Sequence, residues 1–199
     1  MKGGSHRFSG GRRGFTLVEL LAVIVVVGLL LGLGTGGLLR VLRGRNTTAA
    51  ANMTMQQIAL AQQTALSSSR RVKLEVIELP DPSEPAVKVF RMLRTQVFHP
   101  RDRRWLPQGA PVYLPQGVKA DPDRSTLLDA NRLTPLTDVK AGDAVYEARA
   151  AVITFYANGR TSLDPNGKQT LTLEDSHNAG DSITIQIDPV SGRTRTFRP

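Results

Sequence analysis

Few side chains in this chain could do covalent or metal chemistry. There is no cysteine, and only His6, His99 and His177 could act as imidazole bases. A nucleophilic relay needs a positioned serine, histidine and acid, and three scattered histidines define none. Asp121, Asp123 and Asp129 supply oxygens of the kind calcium takes. The EF-hand spacing and its central glycine are missing, and a solvated loop is the simpler reading. Asp164-Pro165-Asn166-Gly167 is a turn signal and nothing more. Trp105 is expected to cap the core, with carbohydrate stacking as the alternative. The expectation is a chain without catalytic residues, cofactor or metal.

Two other groups have a chemistry that depends on context. Glu19 is the only charged residue between Phe15 and Leu39. A carboxylate there costs about 2.5–3.5 kcal/mol at a bilayer centre and less near an end, so it is either an interfacial residue or the partner of a positive group on a neighbouring subunit. The tail Ser191-Gly-Arg-Thr-Arg-Thr-Phe-Arg-Pro199 places Arg193 and Arg195 two apart, on one face of a strand with Phe197. Those arginines, with Arg198, can contact phosphates, or they can be solvated or paired with acids such as Asp181 and Asp188.

The elements that carry these groups follow from patterning. Residues 15–39 as a helix would run roughly 37 Å at ~1.5 Å per residue, against a hydrocarbon core ~30 Å thick. A cleavable secretory signal has an apolar core of about 7–15 residues, so this segment reads as a retained span with Arg12 and Arg13 on its cytoplasmic side. Gly28, Gly32 and Gly36 recur every four residues, on one helical face. They form a close-packing seam, weaken the helix, or do both. Asn46–Arg71 carries Ala51, Met55, Ile58, Ala61, Ala65 and Leu66 as a helical stripe to be laid on a sheet.

Beyond Arg71 the period becomes two. Arg71–Leu79 and Ala86–Phe98 read as a hairpin, with a short strand near Val112–Leu114. Residues 120–147 show no clear period and read as a surface insertion. A strand over Ala151–Tyr156 and three more before the end complete an α+β domain, mostly antiparallel and packed on an N-terminal helix. The expected divisions are a basic leader (1–14), a transmembrane and juxtamembrane helix (15–45) and an extracytoplasmic domain (46–199).

Charge follows the same divisions. The chain's formal net charge is +9, yet residues 46–199 hold 19 basic and 16 acidic side chains. The domain body is near neutral, which does not mark it as a general nucleic-acid binder.

The run Gly14-Phe-Thr-Leu-Val-Glu-Leu-Leu21 resembles the prepilin cleavage and methylation motif of type IV pilins and type II secretion pseudopilins. That resemblance implies a pilin-like fold, cleavage between Gly14 and Phe15 by a membrane aspartic peptidase, and N-methylation of Phe15. It also implies that Glu19 neutralises the amino terminus of a neighbouring subunit in a filament. Trp105, Leu114-Pro115, Gly117-Val118, Ile153–Gly159 and Ile187–Arg195 are similar to the H-type minor pseudopilins and the related FimT- and FimU-type minor pilins. The implied partners are other pseudopilins or pilins, the prepilin peptidase and the inner membrane, crossed once with the N-terminus cytoplasmic. The FimT-type minor pilins also carry a Gly-Arg-x-Arg tail, matched by Gly192, Arg193 and Arg195. This implies DNA as the alternative partner.

Overall fold

The computed structural model describes residues 16–176 and 178–198, and for residues 30–45 and 179 the backbone alone. Its contacts divide the chain into two units, at Val41 and Leu42. Helix α1 runs Leu17–Ser68. Ten strands follow: β1 (Val72–Pro80), β2 (Lys88–His99), β3 (Arg104–Pro107), β4 (Val112–Tyr113), β5 (Val118–Asp121), β6 (Thr134–Ala141), β7 (Ala144–Phe155), β8 (Gln169–Asp175), β9 (Asn178–Ile187) and β10 (Thr194–Phe197).

Within the first unit, the described side chains from Leu17 to Leu29 point to open space on every side. Leu17 is 82% exposed, and the valines and leucines after it are all exposed. A helix that is apolar all round, with no protein against it, requires an apolar surrounding. Among the described residues no helix is long and apolar enough to cross a membrane. The expected span, Phe15–Leu39, extends beyond the residues whose side chains are described.

In the second unit the strands form one antiparallel sheet in the order β10-β9-β8-β5-β2-β1-β7-β6, with β3 and β4 also paired to β2. This is the expected α+β architecture. The helix face laid on the sheet is built from small residues: Thr47, Ala50, Ala51, Thr54, Ala61 and Ala65 are buried around a single large side chain, Ile58. Ile58, Val72, Leu74, Val76, Ile153 and Phe155 belong to one core that continues through Leu171, Leu173, Ile185 and Ile187.

The next residue along β1, Ile77, faces the other way. It joins Met92, Val139, Ala148 and Ala150 in a second cluster. The register agrees: Val76 opposes Ala151 and Ile77 opposes Ala150. Strand β1 is therefore buried on both faces, which explains why its sequence is nearly continuously apolar around its two glutamates.

Two expectations are corrected. Leu66, placed in the buried helical stripe, is 49% exposed. The stripe closes on Ala65, and the next side chain is rotated about 100° away from it. Residues 120–147, read as an aperiodic insertion, carry the last residues of β5, two short 3-10 turns, β6 and the start of β7. Their pattern is hidden because β6 is an edge strand with one deeply buried residue, Val139, and a register shift between Leu136 and Val139. Pro135 and the bulge keep that edge from pairing further.

Candidate assembly and anion-contact sites

The amino-terminal site begins at Thr16. Its Oγ1 accepts a hydrogen bond from the Glu19 N–H at 3.3 Å, and its carbonyl accepts from the same N–H at 3.0 Å. Thr-x-x-Glu at a helix start is the capping-box pattern, with the acid in the first turn where the helix dipole favours it. Glu19 is exposed, and its carboxylate is left to solvent or to a partner. Gly28 also looks onto open space, with nothing within 4 Å of where a Cβ would stand. Gly14 and Phe15 lie outside the described residues, and Gly32 and Gly36 are described only in their helical backbone.

The carboxy-terminal site is the β9–β10 turn and the strand after it. Asp188 closes the turn: its carboxylate accepts from the N–H groups of Val190 at 3.0 Å and Ser191 at 2.6 Å, and from the Ser191 hydroxyl at 2.9 Å. The Ser191 backbone and side-chain hydrogen bonds hold its carboxyl below the usual carboxylate range, with the Arg193 charge adding to them. Gly192 sits at φ +69°, and a Cβ there would stand 3.0 Å from the Phe155 ring. The glycine of the Gly-Arg-x-Arg motif is therefore required by the fold, whatever the arginines do.

Arg193 and Arg195 line one groove with Gln186, Asp188 and Pro189. Arg193 itself lies before β10 rather than on it. Arg198, grouped with them by sequence, sits at the far end of the strand, 3.4 Å from Asp181 Oδ1 and 3.3 Å from the Thr48 hydroxyl. The structure thus joins two of the three arginines and gives the third an acid, while Phe197 stays 51% exposed.

Of the three aspartates weighed as calcium donors and read as a solvated loop, two hold turns. Asp121 accepts from the Asp123 N–H at 2.9 Å and Asp129 from the Asn131 N–H at 3.0 Å. Among the described residues no three acids or histidines gather as a metal cradle. Trp105 lies on β3 with its ring edge-to-face to Phe98, centroids 5.3 Å apart, and Lys73 Nζ 5.0 Å from its centroid. It covers a charged network on that face: Glu75, fully buried, is held by Lys73 at 2.7 Å and Arg94 at 2.6 Å.

A third cluster joins basic groups that sequence reasoning left apart. The His99–Arg104 turn folds back beside the end of α1, with Arg70 Nη1 3.0 Å from His99 Nε2 and the Arg71 guanidinium 4.3 Å from the Phe98 ring centroid. The run His-Pro-Arg-Asp-Arg-Arg was visible as charge, but only the β1–β2 register places it beside Arg70-Arg71.

A prepilin-type helix start followed by a helix-on-antiparallel-sheet domain defines the class of pilin-like filament subunits. The family models agree with that class. Residues 10–35 match the prokaryotic N-terminal methylation motif, and residues 50–192 match the type II transport protein GspH. The chain belongs to the GspH family, and is a minor pseudopilin of type II secretion that assembles with other pseudopilins and is processed by a prepilin peptidase. Two solved structures of the minor pseudopilin EpsH from the type II secretion system of Vibrio cholerae are similar. One is 12% identical, covers 77% of this chain and 98% of that chain, and has a TM-score of 0.46. The other is 12% identical, covers 78% and 95%, and has a TM-score of 0.41. A search of curated proteins returns no match.

Proposed function

We propose that this pseudopilin is a non-enzymatic filament subunit, cut between Gly14 and Phe15, N-methylated on Phe15 and held in the inner membrane by one span. Before the cut its N-terminus is cytoplasmic, and the domain of residues 46–199 is extracytoplasmic. The observation that carries the reading is the exposed Glu19 carboxylate in the first turn of a helix whose apolar side chains from Leu17 to Leu29 are all exposed. Cleavage at Gly14 would create an ammonium group on Phe15, and Glu19 would answer the ammonium of a neighbouring subunit. The carboxylate then offsets its insertion cost only in the stacked filament. Gly28, Gly32 and Gly36 would let neighbouring helices approach closely. Intact-mass measurement of protein from cells with their peptidase tests the reading: it requires a chain beginning at methylated Phe15. A chain that keeps Met1–Gly14 overturns it.

A second reading is duplex DNA contact through the tail. It is favoured by the groove that Arg193 and Arg195 share, and weakened by the pairing of Arg198 with Asp181.

A further inference from the structure

The ends of four neighbouring strands bring six arginines to one pole of the domain. Arg101, Arg103 and Arg104 occupy the β2–β3 turn and its exit, Arg70 and Arg71 the step from α1 into β1, and Arg160 the turn after β7. Strands β3, β2, β1 and β7 are successive neighbours. At ~4.8 Å between strands the row spans about 14 Å. All six side chains are exposed.

Elsewhere among the described residues of the domain, seven lysines and arginines, spread over several strands and loops, are paired with acids. Among the described residues the lysine and arginine ion pairs are made with Glu75, Glu78, Asp121, Asp164, Glu174 and Asp181, and none uses an arginine of this row. The acid within the row, Asp102, faces His99 at 3.7 Å. Arg103 is also held at φ +51°, a conformation that favours glycine or asparagine, and yet an arginine stands there. Six guanidinium groups with no ion pair to an acid among the described residues, gathered at one pole of a near-neutral domain, make a surface suited to an anionic partner.

We propose that this pole docks a carboxylate-rich face of a different pseudopilin subunit. The inference rests on the family assignment and adds the surface and the chemistry of the contact. Guanidinium groups pair with carboxylates in a bidentate fork. A nucleic acid is a poorer match. At this pole Phe98 is covered by Arg71 and Trp105 by Lys73, which leaves Tyr156 of the turn after β7 as a lone exposed ring and no row of stacking platforms for successive bases. Asp102 would oppose an unbroken row of phosphates, whereas a carboxylate-rich protein face can set a single cation opposite it. A second copy is also a poorer match: at the opposite strand ends Asp81, Glu84, Asp143 and Glu147 are accompanied by Lys88 and Lys140.

The chain has no cysteine, so Arg103→Cys in the full-length protein gives one defined crosslinking position. Produced in cells with the other pseudopilins of its own system, this variant is expected to crosslink to one of them through a cysteine-to-carboxylate linker. Arg101→Glu with Arg104→Glu in that background should lower the yield several-fold, up to about 25-fold, since each lost pair weakens binding by at most about fivefold. A smaller loss, up to about fivefold, is expected for docking of Arg103→Gly, scored against wild-type Arg103 by crosslinking from a cysteine at Gln108. That change removes the charge while relieving the backbone, so misfolding cannot produce it. Crosslinks to an exported protein or to a second copy overturn the proposal, as does a yield indifferent to the charge reversals. Wild-type processing at Gly14 is scored in the same cells, so failure of the pole is read separately from failure of the filament assignment.

Discussion

The Glu19 N–H donates to Thr16 Oγ1 at 3.3 Å, which makes Thr16 the cap of α1 and puts Glu19 in the helix's first turn. Glu19 therefore has two separable roles. An acid in the first turn contributes ~0.3–1 kcal/mol to the helix through the dipole, and a free carboxylate can answer a neighbour's ammonium. Glu19→Ala removes both, yet it should insert at least as well as wild type because it takes a charge out of the bilayer. Incorporation into filaments, followed by crosslinking, should fall sharply. Thr16→Ala removes only the cap, costing about 1 kcal/mol, and should leave incorporation largely intact. Equal defects in the two variants would reduce Glu19 to a helix-capping residue.

Processing is tested at the preceding junction. Gly14→Val is expected to leave an unprocessed precursor in the inner membrane, because a branched side chain would stand at the bond to be cut. Mass spectrometry of the membrane fraction distinguishes a chain starting at Met1 from one starting at methylated Phe15. Normal processing of the valine variant would remove Gly14 from the recognition motif.

Phe155 and Gly192 tie the end of the chain to the core. Phe155 is fully buried, and a Cβ on Gly192 would press its ring at 3.0 Å with the backbone at φ +69°. Phe155→Ala should cost about 3–5 kcal/mol. Gly192→Ala combines a strained backbone with a steric contact and should cost about 1–3 kcal/mol. Urea denaturation of the full chain measures both. A glycine variant as stable as wild type would mean that the turn relaxes, and the fold would no longer explain that glycine.

Much of this architecture was legible because period carries burial. Leu74 and Val76 alternate toward the helix, and Ile183, Ile185 and Ile187 repeat every second residue, so β1 and β9 announce themselves. Strand β6 does not, because Val139 is its one deeply buried residue. Strand β3 is short and ends in Pro107, and its reason to exist is the pairing of Trp105 with Phe98 across the turn. The sites divide in the same way. Glu19 stands out as a lone charge in an apolar run. The arginine pole depends on three turns that meet only through strand register, and no local pattern records that meeting. In the tail, Asp181 was legible as a possible partner for the arginines, but that it takes Arg198 follows only from the β9–β10 pairing.

Acid should loosen the β9–β10 turn. The Asp188 carboxyl lies below its ordinary value when folded because Ser191 hydrogen-bonds to its charged form. A group depressed by folding contributes stability that is fully present above its unfolded value, about 3.9, and is lost as pH falls through the folded value. Asp188→Asn should therefore be less stable than wild type at neutral pH, with a constant difference down to about pH 5 that shrinks below about pH 4. Thermal melts from pH 7 to pH 3 measure it. A difference that stays constant across that range would show that the carboxylate's charge is not what the turn uses.

The tail prediction separates the two proposed functions. Arg193 and Arg195 are free to contact phosphate from one groove, whereas Arg198 must first leave Asp181. Phosphate contacts act through counterion release rather than base reading. Two contacts give a log–log salt slope of about −2, and nonspecific affinity in the ~10⁻⁴–10⁻⁶ M range. If the tail serves DNA, the full chain in detergent should bind duplex weakly, without regard to sequence, and lose it as salt rises. Arg193→Gln with Arg195→Gln should then abolish binding without unfolding the domain, because both side chains are exposed. The turn's hydrogen bonds come from Asp188 and Ser191, which that variant keeps. Arg101→Gln with Arg104→Gln is the necessary companion, since the pole could bind duplex at low salt through charge alone. Fluorescence anisotropy with one labelled duplex compares all three proteins. Loss only in the tail variant supports the DNA reading, loss only in the pole variant assigns the binding to the basic pole, and no binding by wild type at low salt removes DNA as a partner.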